Sequence, residues 1–171
     1  MSRTLSLRFE SRLLAPRKRV WEWITSPNCI STEMSPLLRM TFPGSIQSLA
    51  DVQFEPGVPL FRSYLFLFRV VPMDYSDLTL LERTPGAGFI EQSRMGSMKL
   101  WRHERSIAAC PDQPDALLLV DQLDFEPRFA PGFVGWIVNR FFVHRHKVLR
   151  AKLEGNQQTA PAAVSVSRGR G

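Results

Sequence analysis

Three ionisable residues on two neighbouring predicted strands are the best candidates for chemistry in this chain. His103 and Arg105 lie two residues apart on a strand predicted from Met98 to Ala109. Asp121 lies on the next predicted strand, from Leu117 to Glu126. Because side chains alternate between the two faces of a strand, His103 and Arg105 share one face. If this face and the face carrying Asp121 both point inward, the three groups form a cluster among apolar neighbours.

Two interpretations of this cluster stay open. A buried aspartate is costly unless it is paired, and Arg105 is the obvious partner for Asp121. That favours a structural ion pair to which His103 merely donates a hydrogen bond. The alternative is catalytic, because a histidine beside such a pair can take or give a proton near neutral pH. Such an enzyme would cyclise or dehydrate a polyketide-like substrate with these three residues.

Other kinds of chemistry have no support in the sequence. His144 and His146 are two residues apart on a predicted helix and so do not face each other. No cysteine or carboxylate completes a zinc set with them. No glycine-rich phosphate loop, dinucleotide fingerprint or Gly-x-Ser-x-Gly turn occurs. We therefore expect no metal and no cofactor.

The elements that must position the cluster follow from hydrophobic periodicity, which predicts an α+β fold. The predicted strands are Arg3–Leu13, Leu37–Thr41, a short one at Asp51–Phe54, one from Leu60 that Pro72 ends, Asp77–Arg83, Phe89–Ser93, Met98–Ala109 and Leu117–Glu126. The predicted helices are about Pro16–Thr25, Pro27–Glu33 and Gly132–Leu153, the last with Phe133, Ile137, Phe141 and Val148 on its apolar side. An antiparallel sheet of about six or seven strands, curved around the long C-terminal helix, would enclose a roofed cavity.

An aromatic stripe on the predicted sheet also has two interpretations. Its residues are Tyr64, Phe66, Phe68, Trp101 and Phe125. They are either ordinary core or the wall of a cavity beneath the helix. A cavity wall would suit a flat or greasy ligand, because small-molecule pockets are mostly apolar. Arg62, on the same strand face as Tyr64, would then orient a polar end of that ligand.

Length and composition predict one soluble domain. The chain has 171 residues, of which 44% are hydrophobic and 22% charged, enough to bury a single core. The first residues lack the continuous apolar segment of a signal peptide, and the longest apolar stretch is too short to span a bilayer. Cys29 and Cys110 are expected to be reduced thiols, as is typical of a cytoplasmic protein. We predict a domain at residues 1–154 and a disordered tail at 155–171.

The net charge of +6 raises the question of an anionic partner. The basic residues are spread along the chain, so nucleic acid is not expected as a partner. Their densest cluster lies in the last half of the C-terminal helix, where the helix dipole favours cations. The alternative is a weak contact with a membrane surface or an acidic partner through this basic helix end. The residues that would make it are Arg140, Arg145, Lys147 and Arg150.

Several segments resemble one branch of a known superfamily. Phe89-Ile-Glu-Gln-Ser-Arg-Met-Gly96 resembles its Phe-x-Asp-x-Gln-x-x-Gly block, and Trp101-Arg-His-Glu-Arg105 resembles its Trp-x-His-x-His block. Asp121-Gln-Leu-Asp-Phe125-Glu-Pro127 resembles its Asp-x-Val-x-Tyr strand before the long helix. This is the START-like (SRPBCC) superfamily of polyketide cyclases and lipid carriers, in an uncharacterised cyclase-like branch. Arg105 replaces the second histidine of its block, and Glu91 replaces the aspartate.

The resemblance covers roughly residues 5–153 and implies the helix-grip fold, with a ligand cavity between sheet and helix. It therefore favours a binding protein for a hydrophobic small molecule, such as a lipid, isoprenoid or polyketide, acting as a carrier or sensor. The aromatase/cyclase-type enzyme and the interaction protein described above are the alternatives. The residues expected to line the cavity are Arg62, Tyr64, Phe66, Phe68, Trp101, His103, Leu123, Phe125 and Phe141.

Overall fold

The computed structural model describes residues 4–155, which form a curled antiparallel sheet and three helices. The strands are β1 (Leu5–Leu13), β2 (Leu38–Met40), β3 (Pro59–Leu67), β4 (Val71–Thr84), β5 (Gly88–Gln92), β6 (Arg94–Met95), β7 (Met98–Ala109) and β8 (Leu117–Pro127). The helices are α1 (Arg17–Thr25), α2 (Pro27–Met34) and α3 (Pro131–Gly155). The predicted α+β class, with two short helices after the first strand and a long C-terminal helix, is confirmed.

The sheet order places the predicted ionisable residues side by side. Seven strands follow one another in the order β1-β8-β7-β5-β4-β3-β2, and the two-residue β6 pairs with β4 beside this path. The antiparallel pairing of β7 with β8 sets Arg105 directly opposite Asp121, and Trp101 opposite Phe125. On the other side of β8, Phe9 of β1 is the partner of Asp121. Asp121 is therefore flanked by strands on both sides.

The helix α3 lies against the concave face of the sheet and closes the core. Leu123 and Phe125 of β8 belong to the same buried cluster as Val138 and Phe142 of α3. The Phe142 ring stacks on Phe9, with 5.4 Å between ring centroids. Among residues 4–155, no helix is both long and apolar enough to cross a membrane.

The buried side of α3 differs from the predicted one. Phe133 is 62% exposed and Ile137 is 39% exposed, so their assignment to the packed side is wrong. The side that meets the sheet runs instead through Val138, Phe142 and Leu149. Arg145 and His146 are also buried on this side. Because these two residues are polar, they interrupt the helical repeat of apolar residues that would otherwise indicate the buried side of α3.

The first hairpin of the sheet also departs from the prediction. The strand from Leu60 does not continue to Pro72, because β3 ends at Leu67 and the chain turns through Phe68 and Arg69 at φ values of 46° and 70°. Pro72 lies inside β4, next to a shift in the β3–β4 register, where a strand tolerates a residue without an N–H group.

The termini and the long loop differ in smaller ways. Residues 51–54 form no strand, and the loop there is held by Arg83, whose Nη1 donates to the carbonyl oxygens of Leu49 and Val52 at 2.7 and 2.8 Å. The predicted tail lies outside the described residues, apart from Gly155, which ends α3.

A serine cap and a proline fix where α2 begins, and the helix packs beneath α3. The Ser26 hydroxyl accepts a hydrogen bond from the backbone N–H of Cys29 at 3.4 Å, and Pro27 occupies the first turn, as favoured at a helix start. The inner side of α2 carries Ile30, Met34 and the fully buried Glu33. A carboxylate is thereby carried into the space between the helices and the sheet.

Candidate functional site

A buried network of ionisable side chains lies between the sheet and α3, centred on Asp121. Arg105 makes a two-pronged pair with it: Nε donates to Oδ1 at 2.7 Å, and Nη2 donates to Oδ2 at 2.8 Å. His103 Nε2 donates to Oδ1 at 2.7 Å, and His146 Nε2 donates to Oδ2 at 2.8 Å. The predicted trio of His103, Arg105 and Asp121 is therefore brought together, with His146 of α3 as a fourth member.

Glu33 is the second centre of the network. Arg105 donates to it from Nη1 and Nη2, each 3.1 Å from Oε2. Arg145 of α3 donates from Nε at 3.1 Å and from Nη2 at 2.9 Å, also to Oε2. Trp23 Nε1 of α1 donates to Oε1 at 2.8 Å. Arg105 thus bridges two carboxylates, and the network joins all three helices to β7 and β8.

Ser11 of β1 completes the network on the side of His146. The Ser11 hydroxyl accepts a hydrogen bond from Arg150 Nη1 at 2.9 Å and lies 2.7 Å from His146 Nδ1. Because its own proton is free to be donated to Nδ1, the hydroxyl satisfies an Nε2–H tautomer of His146. That tautomer is the one that can also donate to Asp121.

Burial and pairing together set the charges of this network. Burial raises the pKa of Asp121, but Arg105 and His103 outweigh it and hold that pKa well below its usual range. Burial likewise raises the pKa of Glu33, and Arg105 and Arg145 bring it below its ordinary value. Two carboxylates therefore face two guanidinium groups, which balances the buried charge.

His103 is the member of the network poised to change charge. Burial lowers the pKa of His103, but the Asp121 carboxylate outweighs burial, so the net pKa is raised. Its Nδ1 faces Glu91 Oε2 of β5 at 3.8 Å, a second negative neighbour. Glu91 in turn accepts a hydrogen bond from Ser93 at 2.5 Å. Both ring nitrogens of His103 therefore face carboxylates of the protein itself.

The network is enclosed by protein. His103 is 4% exposed, Arg105 is 1% exposed and Asp121 is fully buried. The T-shaped contacts of Phe89 and Phe142 cover the His103 ring, with centroids at 6.0 and 5.4 Å. In this arrangement the trio can share a proton between His103 and its carboxylates, and it holds α2 and α3 against the sheet. The hydrogen-bond donors and acceptors of the network are directed at one another and not at an open space.

The residues predicted to line a cavity divide into two groups. Trp101, His103, Leu123 and Phe125 lie on the side of the sheet that faces α3, and Phe141 of α3 packs against the same core. Trp101 contacts Phe125 and Phe142, with ring centroids at 5.9 and 6.4 Å. The interior beneath the middle of α3 is therefore filled by aromatic side chains in tilted and T-shaped contact.

The other predicted lining residues point away from the interior. Arg62, Tyr64 and Phe66 alternate with the buried Ser63 and Leu65, so they lie on the convex face of the sheet, and the prediction that they share the inner face with Trp101 is wrong. Arg62 is paired there with Asp77, through Nε and Oδ1 at 2.6 Å. Phe68 lies in the β3–β4 turn and is 61% exposed.

An open cleft of about 440 Å³ lies between α2 and the chain segment that follows β2. Met40, Phe42 and Ile46 form its apolar wall, and the same three side chains pack against the buried core. Its polar lining comes from Asn28, Ser31, Arg39, Thr41 and Gln47. No local sequence pattern indicates this cleft, because its walls come from a helix, a short strand and a loop.

The basic end of α3 is less available than its sequence indicates. Arg145 is 7% exposed and bound to Glu33, so the prediction that it can dock an anionic partner is wrong. Arg150 is half-buried and donates to Ser11. Arg140 and Lys147 remain exposed. Within residues 4–155, no three histidine, cysteine or acidic side chains are arranged as metal ligands.

A curled antiparallel sheet gripping a C-terminal helix, with two short helices after the first strand, is the START-like helix-grip fold. The chain belongs to the family described as Domain of unknown function (DUF8410), whose model matches residues 11–153. A comparison with curated proteins found no match.

Solved structures of low sequence identity share this fold. Protein CV1439 from Chromobacterium violaceum superimposes with a TM-score of 0.65 at 16% identity, over 87% of this chain and 96% of the other. The Zhui aromatase/cyclase from Streptomyces sp. R1128 gives 0.64 at 12% identity, over 94% and 100%. A START superfamily protein from Mycobacterium smegmatis gives 0.56 at 11% identity, over 88% and 98%.

Proposed function

We propose that this protein binds an apolar small molecule, such as a lipid, isoprenoid or polyketide, between its sheet and α3, as a carrier or sensor. The observation that carries the proposal is the 440 Å³ cleft, because its apolar wall is continuous with the aromatic interior. Most of the lining exposed in the cleft is polar, so the wall of Met40, Phe42 and Ile46 has to supply the apolar contact that small-molecule sites usually provide. The ligand enters through the cleft and has to displace the packed rings of Trp101 and Phe142 to extend further inward.

The walls of the cleft suit a mobile entrance. Residues 41–58 connect β2 to β3 without a helix or strand of their own, and uncommonly long loops of this kind often serve as lids or binding loops. The loop is attached at its middle, where Leu49 N donates to Thr25 O at 2.8 Å and Arg83 holds the carbonyl oxygen of Leu49. The part before this anchor, which includes Phe42 and Ile46, can move away from the core without breaking that attachment.

The buried network supports a binding role over a cyclase role. An acid–base catalyst has to reach a proton on its substrate, and both nitrogens of His103 face carboxylates of the protein. The network instead fixes α3 over the sheet, which keeps the roof of the ligand site in place. The shared fold of a START superfamily protein and an aromatase/cyclase supports an apolar ligand class by analogy only.

Plugging the cleft tests this proposal. Gly44 lines the cleft, and a Cβ atom added there would meet no atom within 4 Å, so Gly44→Trp is the variant chosen to place a large side chain at the entrance. Gly132, at the start of α3, is equally open and lies outside the cleft, so Gly132→Trp is the matched control. The probe is the uncharged fluorophore N-phenyl-1-naphthylamine, displaced by fatty acids and isoprenoid alcohols.

The expected result is that Gly44→Trp weakens probe binding at least tenfold, while Gly132→Trp leaves it unchanged, since about 1.4 kcal/mol of lost contact is a tenfold effect. Equal binding by the wild type and Gly44→Trp would show that the cleft is not the entrance. Loss of binding only in Gly132→Trp would place the probe on the outer surface of the protein instead.

A further inference from the structure

Exposed apolar side chains are concentrated at one end of the sheet. Four belong to the β3–β4 hairpin: Phe68, Val70, Val71 and Met73. Three belong to the segment that enters α3: Phe129, Phe133 and Trp136. Each of the seven is at least 50% exposed, and the rings of Phe133 and Trp136 stack at 6.2 Å. We call these seven residues the end surface.

The two parts of the end surface are joined through the turn between β6 and β7. Asp74, next to the hairpin, accepts a hydrogen bond from the backbone N–H of Ser97 at 3.2 Å. The backbone N–H of Arg128 donates to Ser97 O at 3.0 Å, and its Nε donates to Gly96 O at 3.0 Å. The hairpin and the start of α3 therefore project from the same end of the sheet.

The exposed charges around the end surface are basic, and the acidic Asp74 beside Met73 is half-buried and accepts from Ser97. Arg69 lies in the hairpin turn, Arg128 precedes α3, and Arg140 follows Trp136 by one turn on the same side of the helix; all three are exposed. The sequence has no acidic residue from 56 to 73 or from 127 to 153. Tryptophan and phenylalanine flanked by arginines are typical of protein segments that lie in the interface of an anionic membrane.

We propose that the end surface docks on an anionic lipid bilayer, with the hairpin tip and the Phe133–Trp136 pair entering the headgroup region. A second copy of the chain is a poorer occupant, because a two-fold interface sets the same patch against itself and would bring these arginines together. A bilayer accepts two separate projections without shape complementarity. This inference does not depend on the interior ligand.

Co-sedimentation with vesicles gives the first test. We expect binding to vesicles of phosphatidylcholine mixed with phosphatidylserine, weaker binding to phosphatidylcholine alone, and a fall with added salt. Trp136 emission should shift to the blue on binding, because this exposed indole leaves water. No sedimentation with the mixed vesicles would overturn the proposal.

Charge reversal at a single glycine gives the second test. Gly132 lies between Phe129 and Phe133, and a side chain added there meets open space. Gly132→Glu should weaken vesicle binding about fivefold and Gly132→Lys should strengthen it by a similar factor, because each charge near an anionic surface contributes on the order of that factor. The glutamate suits a helix start, so loss of binding would not reflect loss of the fold. Gly44→Glu and Gly44→Lys are the controls.

The hairpin is tested by Val70→Ser, with Val58→Ser as its control, because Val58 is 48% exposed at the opposite end of β3. Only Val70→Ser should reduce vesicle binding. Equal effects of the Glu and Lys variants would overturn the proposal. So would a dimer in sedimentation velocity that Gly132→Glu dissociates, because a second copy would then occupy the end surface. If the wild-type protein binds the fluorophore but no vesicles, the membrane proposal is overturned and the proposal of an interior ligand is unaffected.

Discussion

Asp121 and Arg105 face each other across β8 and β7 and are joined by two parallel hydrogen bonds of 2.7 and 2.8 Å. Neither side chain is more than 1% exposed. A paired guanidinium and carboxylate of this geometry is both strong and directional. Arg105 also donates to Glu33, and Asp121 also accepts hydrogen bonds from His103 and His146. This pair is therefore the link through which the helices are attached to the sheet.

Replacement of Asp121 by asparagine should be strongly destabilising. Asp121→Asn keeps the volume but leaves Arg105 buried beside one carboxylate instead of two, which typically costs about 3–5 kcal/mol. Asp124→Asn, three residues along the same strand, is the control, because Asp124 accepts from Ser6 at an exposed position. Urea unfolding measures both variants. Similar midpoints for the two would show that the buried pair does not stabilise the fold.

The stability of the protein should pass through a maximum with pH. The pKa of His103 is raised in the folded state, so its contribution is complete below about pH 6.5 and is lost as the pH rises through the folded pKa. The pKa values of Asp121 and Glu33 are lowered, so their contribution is present above about pH 4 and is lost as the pH falls toward the folded values.

The variant that isolates the alkaline side is His103→Gln, which can still donate to Asp121. As the pH rises above about 6.5, its urea midpoint should fall less than that of the wild type, because the residue whose raised pKa links stability to pH has been removed. Both proteins should lose stability in acid. A wild-type midpoint that rises across the same alkaline range would contradict the raised pKa.

Glu33 and Arg145 should show energetic coupling. Glu33→Gln leaves two buried guanidinium groups with a single carboxylate, and Arg145→Met leaves Glu33 short of one donor pair. The double variant restores the charge balance, so it should be more stable than the sum of the single losses predicts, by about 0.5–3 kcal/mol. Additive losses in a double-mutant cycle would show that α2 and α3 are not held together by this pair.

The strand-based part of the network was predictable from sequence, and the helical part was not. Period-two alternation places His103, Arg105 and Asp121 on inner faces, and adjacent strands in the chain pair with each other here. Glu33, Arg145 and His146 reach the network from helices, whose placement on the sheet depends on packing that no local pattern records. The one signal available was the pair of polar residues, Arg145 and His146, within an otherwise apolar helix.

The inner face of β3 was mispredicted for a related reason. Both faces of this strand are largely apolar, so alternation alone does not indicate which face is buried. Ser63 is the fully buried member of the inner face, and its hydroxyl donates to Thr41 O at 2.7 Å. Ser63 therefore lies on the inner face of β3, and Arg62 and Tyr64 lie on its outer face. The cross-strand pair of Arg62 with Asp77 fixes that choice.

The packing of Phe142 gives a further prediction. This side chain is 1% exposed and contacts Phe9, Trp101 and His103. Phe142→Ala should cost about 3–5 kcal/mol, which is usual for a large aromatic residue removed from a core. The neighbouring Val143 is 52% exposed, so Val143→Ala should change the urea midpoint little. In Phe142→Ala, added apolar ligand should recover part of the loss by occupying the space.

The measurement that bears most directly on the proposed function is mass spectrometry of small molecules released from the purified, denatured protein. We expect an apolar compound in stoichiometric amount from the wild type and a much smaller amount from Gly44→Trp, purified in the same way. Wild-type protein that releases none, and that also fails to take up added lipids, isoprenoids or polyketides, would contradict the proposed function.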